Sequence, residues 1–399
     1  MAGKSGEATM PATVYLLGLC IFAMATSEFM VAGMMPSLAA ALGVGLPAVG
    51  NLVSAFAASV VLGGPALTWL LRSARRKHSL IGLLLLFLAG QVVGALAGDY
   101  QQMLWSRLIC GVAQSAFFGV ALALAAELVG EQRVARAAAL VLNGLMLASV
   151  AGLPLAAWVD QNWGWRLSFW LVAGMVALVA AGIAALTPSG ARPQALSLGE
   201  EGRRLARPGL WAAYLSSGLI IGAVFAAFTY LAPLFTRVSG FAAATLPWLF
   251  AGYGLATVLG NLCSGRLADS HTRVVLRGGL LVLLAALVAL ASLAQWQAAT
   301  VVCVLLLGLA GLPMNPAMVA RVVRAGGSGP MVNSLHMSVV NLGLMLGSWG
   351  GGALLDAGGS LRAPVWLGAA LAALALASLW LDRAGHSWQA TGSSTGMPR

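Results

Sequence analysis

Long apolar stretches separated by short polar or charged segments dominate the hydrophobic pattern of this chain. A helix that crosses a bilayer needs about 20 mostly apolar residues, and twelve stretches meet that need. They begin near Thr13, Pro47, Ser79, Met103, Ala137, Leu167, Leu210, Leu246, Gly278, Thr300, Val332 and Pro364. Alternating apolar and polar positions, which are typical of barrel strands, are absent. The pattern therefore predicts an all-α integral membrane protein with twelve transmembrane helices.

The longest polar interruption divides these helices six and six. We predict a cytoplasmic N-terminal tail at 1–12, a six-helix bundle at 13–186, a cytoplasmic linker at 187–208, a second six-helix bundle at 209–381 and a cytoplasmic tail at 382–399. An internal repeat supports the division, because the sequence around Asn143 resembles that around Asn341, an offset of 341 − 143 = 198. An offset of 197 carries Pro36 to Pro233. Two parallel six-helix repeats with the binding site between them are typical of transporters.

The distribution of charge assigns a side of the membrane to each loop. The chain is 60% hydrophobic and 8% charged, whereas soluble domains carry roughly 25% charged residues. Its net charge of +11 could suggest a nucleic-acid partner, but 18 of the 22 Lys and Arg fall on one face: Lys4, Arg72, Arg75, Arg76, Lys77, Arg133, Arg136, Arg192, Arg203, Arg204, Arg207, Arg266, Arg273, Arg277, Arg321, Arg324, Arg383 and Arg399. The positive-inside rule then predicts that both termini are cytoplasmic. We expect a monomer in the lipid bilayer and no nucleic-acid partner.

Glu28 has no other Asp, Glu, Lys or Arg around it from Thr13 to Leu38. An ionisable group in hydrocarbon costs several kcal/mol on most estimates and marks pathways for protons or ions. A low dielectric favours the neutral form of a carboxylic acid, which suits a group that takes up protons. We therefore predict proton coupling at Glu28, with a buried structural pair or the wall of a solvated cavity as alternatives. The equal-offset position in the second half is Ala226.

Arg107 is the only basic residue well within an apolar stretch. An arginine near Glu28 would favour the ionised acid, so a change in their separation would switch its proton affinity. A fixed ion pair, or an arginine that reaches the outer interface, is the alternative.

Aromatic and amide side chains are scattered through the apolar stretches. Such a mixture suits a cavity for a lipophilic, mostly uncharged substrate, although hydrogen bonding between helices would explain each amide as well. We predict a cavity lined by Phe22, Asn51, Phe56, Gln114, Phe117, Asn143, Phe225, Tyr230, Tyr253 and Asn341. Gln91, Asn261, Asn315 and His336 are further polar residues inside these stretches.

No enzyme signature is present: the chain has no Walker lysine loop, no strand followed by GxGxxG, no zinc spacing and no nucleophile elbow. All four cysteines lie inside apolar stretches, at Cys20, Cys110, Cys263 and Cys303. They predict neither a disulfide framework nor a metal site. We expect no enzymatic activity and no cofactor.

The motifs together resemble those of the twelve-helix drug:proton antiporters of the major facilitator superfamily, including bacterial chloramphenicol exporters and the related sugar efflux transporters. The resemblance covers nearly the whole chain. The segments that carry it are 26–36, Arg107 with Gly111, 143–154, 164–169, 228–241 and 265–269.

The resemblance implies a role for several residues. Glu28 would be the membrane-embedded acid of the first helix, and Arg107 the fourth-helix arginine. Gly144, Gly152 and Pro154 would belong to the antiporter motif, in which Gly and Pro bend the fifth helix and seal the cavity; Leu155-Ala156 stands where a glycine pair is usual.

A charged loop motif follows the second helix in this family. Arg72, Arg75 and Arg76 match its basic residues, but Leu71 replaces the usual Asp. Asp269 occupies the corresponding loop of the second half and hints at a charge latch between helices. The basic run would otherwise only set topology and contact anionic lipid.

We therefore expect a proton-coupled efflux antiporter in the cytoplasmic or inner membrane of a bacterium, which exports small lipophilic compounds such as chloramphenicol by alternating access. Efflux of sugars or nucleosides by the same fold is the alternative, which the amides of the predicted cavity favour. A membrane receptor or scaffold that transports nothing is a third possibility, although charge inside spans marks pathways more often than scaffolds.

Overall fold

The first half of the chain consists of six spans that alternate in direction. The computed structural model describes residues 10–71, 74–129, 133–187, 207–327 and 330–391, and the side chains of these residues except 64–65, 68–69, 135, 269, 330 and 380–391. The helices of the first half are Ala12–Gly33 (span 1), Leu46–Leu71 (span 2), Arg76–Leu96 (span 3), Tyr100–Val129 (span 4), Val134–Leu147 with Leu153–Trp163 (span 5) and Trp165–Leu186 (span 6). A short helix, Met35–Leu42, joins spans 1 and 2.

The second half repeats this arrangement. Its helices are Pro208–Phe228 with Leu231–Arg237 (span 7), Leu246–Leu293 (spans 8 and 9), Gln297–Ala310 with Asn315–Gly326 (span 10), Pro330–Asp356 (span 11) and Ala363–Thr391 (span 12). We call the end of the molecule where span 6 ends and span 7 begins the linker face. The far face is the opposite end, where span 1 ends and span 2 begins.

The predicted helix starts agree with the observed ones to within a few residues. Eleven of the described spans are long and apolar enough to cross a membrane, and span 12 is mostly apolar over Ala363–Leu379, the part whose side chains are described. Spans 8 and 9 meet without a connecting loop at a kink at His271, where φ is −129° and ψ is 36°, so span 9 begins earlier than predicted. The residues beside His271 include neither Gly nor Pro to end the helix.

Proline breaks the first helix of each half at nearly corresponding positions. Non-helical residues precede Pro36 and Pro233: Met34 has φ −101° and ψ 12°, and Tyr230 has φ −108° and ψ 12°. A proline lacks the backbone N–H and its ring clashes with the carbonyl four residues earlier, so the helix cannot continue straight through it. The sequence repeat thus corresponds to a structural repeat.

Glycine lets one helix pair in each half approach at backbone distance. A methyl group at Gly144 of span 5 would lie 2.8 Å from the backbone N of Phe22 and closer still to the carbonyl O of Gly18, in span 1. In the second half, a methyl at Gly343 of span 11 would lie 2.9 Å from the carbonyl C of Gly218, in span 7. Small residues at such crossings are typical of helix packing in membranes.

The most extensive contacts between the described parts of the two halves are those of span 2 with span 11 and of span 5 with span 8. A methyl at Gly254 of span 8 would lie 2.6 Å from the carbonyl C of Ser149 in span 5, so the second contact is also a close one.

Tryptophan side chains are exposed near the far face, at Trp105, Trp158, Trp163, Trp170, Trp248, Trp296, Trp349 and Trp366. A belt of exposed tryptophan is typical of the boundary between lipid and water.

Candidate functional site

Glu28 lies in span 1 with its carboxylate directed at span 4. The side chain is half-buried, and Oε2 accepts a hydrogen bond from Nε2 of Gln114 at 2.7 Å. Gln114 is 5% exposed, and its Oε1 has no hydrogen-bond partner among the described residues. The structure thus brings together the predicted proton-coupling acid and one of the predicted cavity amides.

Arg107 is fully buried beside this pair but contacts the residue before Glu28. Its guanidinium donates to Oγ of Ser27 at 3.1 Å and to the backbone O of Ser27 at 3.0 Å, and its Cζ lies 4.5 Å from the ring centre of Phe56. Among the described residues, Arg107 and Glu28 form no ion pair within 4.0 Å. Arg107 therefore binds Ser27, the residue before Glu28, and not the Glu28 carboxylate.

Gln91 of span 3 completes this polar group. Its Nε2 donates to Oγ of Ser27 and, at 3.4 Å, to Sγ of Cys110. Ser27 therefore receives hydrogen bonds from two spans, and sequence reasoning did not find this role for it. The available signal was the position of Ser27 next to Glu28, together with Gln91 as the single amide of span 3.

Aromatic rings connect span 1 to the second half next to Glu28. Phe29 stacks on Phe225 with ring centres 6.4 Å apart and packs edge-on against Phe228 at 6.2 Å. Phe228 in turn lies 5.2 Å from Tyr253, whose buried hydroxyl has no hydrogen-bond partner in the described part of the chain. The sequence singled out Phe225 and Tyr253 but missed Phe29 and Phe228, which form the link between the halves.

The other predicted cavity residues lie in several environments. Phe117 is fully buried, whereas Phe22 and Asn51 are half-buried. Asn143 is exposed, and Nδ2 of Asn341 donates to the carbonyl of Met337 on its own helix at 3.0 Å. The cavity that these residues were predicted to line therefore stays a prediction.

Gly152 and Pro154 of the predicted antiporter motif lie in the part of span 5 that packs against span 1. A methyl at Gly152 would lie 2.9 Å from Cβ of Thr26, two residues before Glu28. The turn Ala148–Gly152 is a π-helix, immediately before Pro154. Because proline lacks an N–H and needs room at the carbonyl four residues earlier, this wider turn accommodates it without ending the span.

The predicted cytoplasmic-loop motif is only partly described. Arg72 lies outside the described residues, and Asp269 lies near the end of span 8 with its side chain outside them. Arg75 is exposed, and Nε of Arg76 pairs with Oε1 of Glu127 at 2.8 Å. This pair of a half-buried arginine and an exposed glutamate joins spans 3 and 4 inside the first half, and Glu127 was not predicted from the sequence.

Asp160 is a second buried acid that sequence reasoning missed. It lies in span 5 near the far face, 9% exposed, and its Oδ2 accepts a hydrogen bond from Oγ of Ser37 at 2.6 Å. Its other carboxylate oxygen has no hydrogen-bond partner within the described ranges.

No group of three His, Cys, Asp or Glu among the described residues could hold a metal ion.

Comparison with known proteins agrees with this architecture. The model of the Major Facilitator Superfamily matches residues 17–247 and 239–395. The inner membrane transport protein YdhP of Escherichia coli K12 is 32% identical over 92% of this chain and 95% of its own length. A chloramphenicol resistance protein of Streptomyces lividans is 33% identical over 92% of this chain and 95% of its own.

A solved structure has the same fold at lower sequence similarity. A bacterial homologue of the human lysosomal transporter Spinster, in an inward-facing and unoccupied conformation, superimposes with a TM-score of 0.72 at 16% identity over 94% of this chain and 97% of its own. The fold, the paired repeats and the sequence relatives lead to one conclusion. The chain is a multi-pass membrane protein that belongs to the Major Facilitator Superfamily of transporters.

Proposed function

We propose that this protein is a proton-coupled antiporter that exports small lipophilic compounds of the chloramphenicol type by alternating access. The observation that carries the proposal is the carboxylate of Glu28, which an amide holds at 2.7 Å inside an apolar span. No cation lies within 4.0 Å of it among the described residues. An acid in such a place binds and releases protons more readily than it serves as a structural pair.

Arg107 supplies a means of changing the proton affinity of Glu28. Its guanidinium bonds Ser27, one residue before the acid. A rotation of span 1 by about 100°, the angle between successive helical residues, would exchange Ser27 for Glu28 as acceptor. The Glu28 carboxyl would hold its proton while Arg107 binds Ser27. It would release the proton when Arg107 binds Glu28 itself, because a nearby cation stabilises the ionised form.

The membrane potential makes such a cycle useful. Moving one charge across 100 mV supplies about 2.3 kcal/mol, which corresponds to roughly a fifty-fold concentration ratio of cargo. The aromatic rings beside Glu28 would provide an apolar surface for the cargo, and the hydroxyl of Tyr253 would provide a hydrogen bond.

The chemical class of the cargo is supported by a relative rather than by a bound molecule. The Streptomyces lividans relative is named a chloramphenicol resistance protein, and its match covers both halves of this chain. We also propose that the linker face is cytoplasmic, that the membrane is the cytoplasmic membrane of a bacterium, and that the protein acts as a monomer.

Drug-induced proton release from purified protein in liposomes tests the proposal. We expect release with the wild type and with the control Glu127→Gln, which makes the same change at an exposed glutamate that pairs with Arg76. Glu28→Gln should abolish release. Unchanged coupled transport in Glu28→Gln would contradict the role of Glu28, and transport of sugars or nucleosides without any phenicol would contradict the proposed cargo.

A further inference from the structure

The break in span 7 turns one aromatic side chain toward the other half of the molecule. Tyr230 occupies the non-helical position between the two helices of span 7, near the far face. Its side chain is 1% exposed, and its hydroxyl donates to the backbone O of Ser348 in span 11 at 2.9 Å. Tyr230 is therefore fixed to its own half by a hydrogen bond.

The ring of Tyr230 sits in a slot made of glycine. On its own half, a methyl at Gly351 would lie 2.7 Å from Cε2 of Tyr230, and a methyl at Gly352 would lie 2.8 Å from the hydroxyl oxygen. On the opposite half, a methyl at Gly50 of span 2 would lie 2.8 Å from Cζ and closer still to the hydroxyl oxygen. A methyl carbon does not approach a carbon or oxygen atom this closely, so an alanine at any of these positions would displace the ring.

Gly50 differs from the other two glycines because it belongs to the first half. Its contact with Tyr230 exists only while the far-face ends of spans 2 and 11 are together. The same end also carries the contact of Phe29 with Phe225. A residue larger than glycine at position 50 would therefore act on the contact between the halves.

We propose that Tyr230 and Gly50 form a steric key for closure of the far face: the far-face ends of the halves close fully only when the phenol ring of Tyr230 enters the space over Gly50. The inference concerns the conformational cycle, whatever cargo or ion is carried. It does not depend on proton coupling at Glu28. An alanine at position 50 would hold the far face open.

The distance between spin labels on the far face tests the key. In a Cys263→Ser background, which removes the exposed native thiol, labelled cysteines replace Gln101 in the first half and Ser360 in the second, both exposed. We expect Gly50→Ala to shift the distance distribution to longer values and to stop transport. Gly45→Ala is the matched control, because a methyl there makes an ordinary 3.4 Å contact with Pro47 at the start of the same span.

A second variant keeps the test decisive if Gly50→Ala does not fold. Tyr230→Leu removes the ring, so by itself it should broaden the distance distribution toward longer values. Combined with Gly50→Ala, it should restore short distances, because the added methyl then no longer meets a ring. Unchanged distances in both single variants would overturn the proposal. Long distances in the Gly45→Ala control would overturn it as well, since any added methyl would then open the molecule. Because this readout is a distance, it is separate from the proton release that tests Glu28.

Discussion

At the scale of single residues, the candidate site is a set of polar side chains from three spans around Ser27 and Glu28. Two donors meet at Oγ of Ser27, and a third donor meets the carboxylate of Glu28. The sequence could predict Glu28 and Arg107, because an ionisable residue within an apolar stretch stands out. It could not predict Ser27 as the shared acceptor, because that depends on the rotation of spans 1, 3 and 4 about their axes.

Replacing Gln114 by leucine should reduce coupled transport about tenfold or more. The variant removes the donor to the Glu28 carboxylate, and a hydrogen bond to a charged group contributes about 1.5–3 kcal/mol. Gln101→Leu is the matched control on the same span, because Gln101 is exposed. Transport rates in liposomes measure the effect, and equal rates in the two variants would argue against a role for this hydrogen bond.

Replacing Ser27 by alanine should destabilise the protein by about 1–3 kcal/mol, because buried donors of Arg107 and Gln91 lose their acceptor. Thermal unfolding in detergent measures the loss. The double variant Ser27→Ala with Gln91→Leu should be less destabilised than the sum of the two single variants, since one orphaned donor is then absent. Strict additivity would mean that the two side chains do not interact.

At the scale of elements, close crossings of helices position the site. The alternation of apolar stretches predicted where helices begin, and the prolines predicted where two of them break. The break between spans 8 and 9 was predicted, but its position at His271 was not predictable, because no Gly or Pro lies beside this residue and the backbone is helical on both sides of it. The pairing of span 1 with span 5 was not predictable either, because glycine is frequent throughout these spans and only packing selects Gly18 and Gly144.

Replacing Gly144 by alanine should therefore destabilise the protein by about 1–3 kcal/mol or more, as overpacking does. The methyl would meet the backbone of span 1 at Gly18 and Phe22. Gly119→Ala on span 4 is the control, because nothing lies within 4 Å of a methyl there. Thermal unfolding compares the two, and equal stability would mean that spans 1 and 5 can separate without cost.

At the scale of the whole molecule, two similar halves differ at the position that carries the acid. The repeat relates Glu28 to Ala226, which is fully buried in span 7. The similarity of the halves was predictable from the offset near 198 residues. The contacts of Phe29 and Tyr230 between the halves were not, because they depend on how two bundles meet.

Cysteine labelling of intact cells should establish the orientation. In a Cys263→Ser background, which removes the exposed native thiol, a membrane-impermeant maleimide should label Ser360→Cys and leave Ser270→Cys unlabelled. The former lies at the far face, and the latter lies between spans 8 and 9 at the linker face. The opposite labelling pattern would place the basic loops outside and contradict the positive-inside assignment.

The acid of span 1, Glu28, has an electrical consequence. If one proton enters through Glu28 for each molecule exported, a neutral cargo makes every cycle carry one net charge, and transport generates a current. A cargo with one positive charge would make the exchange electroneutral, and the voltage would then have no effect on the final accumulation. Because only the first half carries this acid and the second has Ala226 at the corresponding position, the charge of the cargo decides whether the membrane potential helps to drive its export.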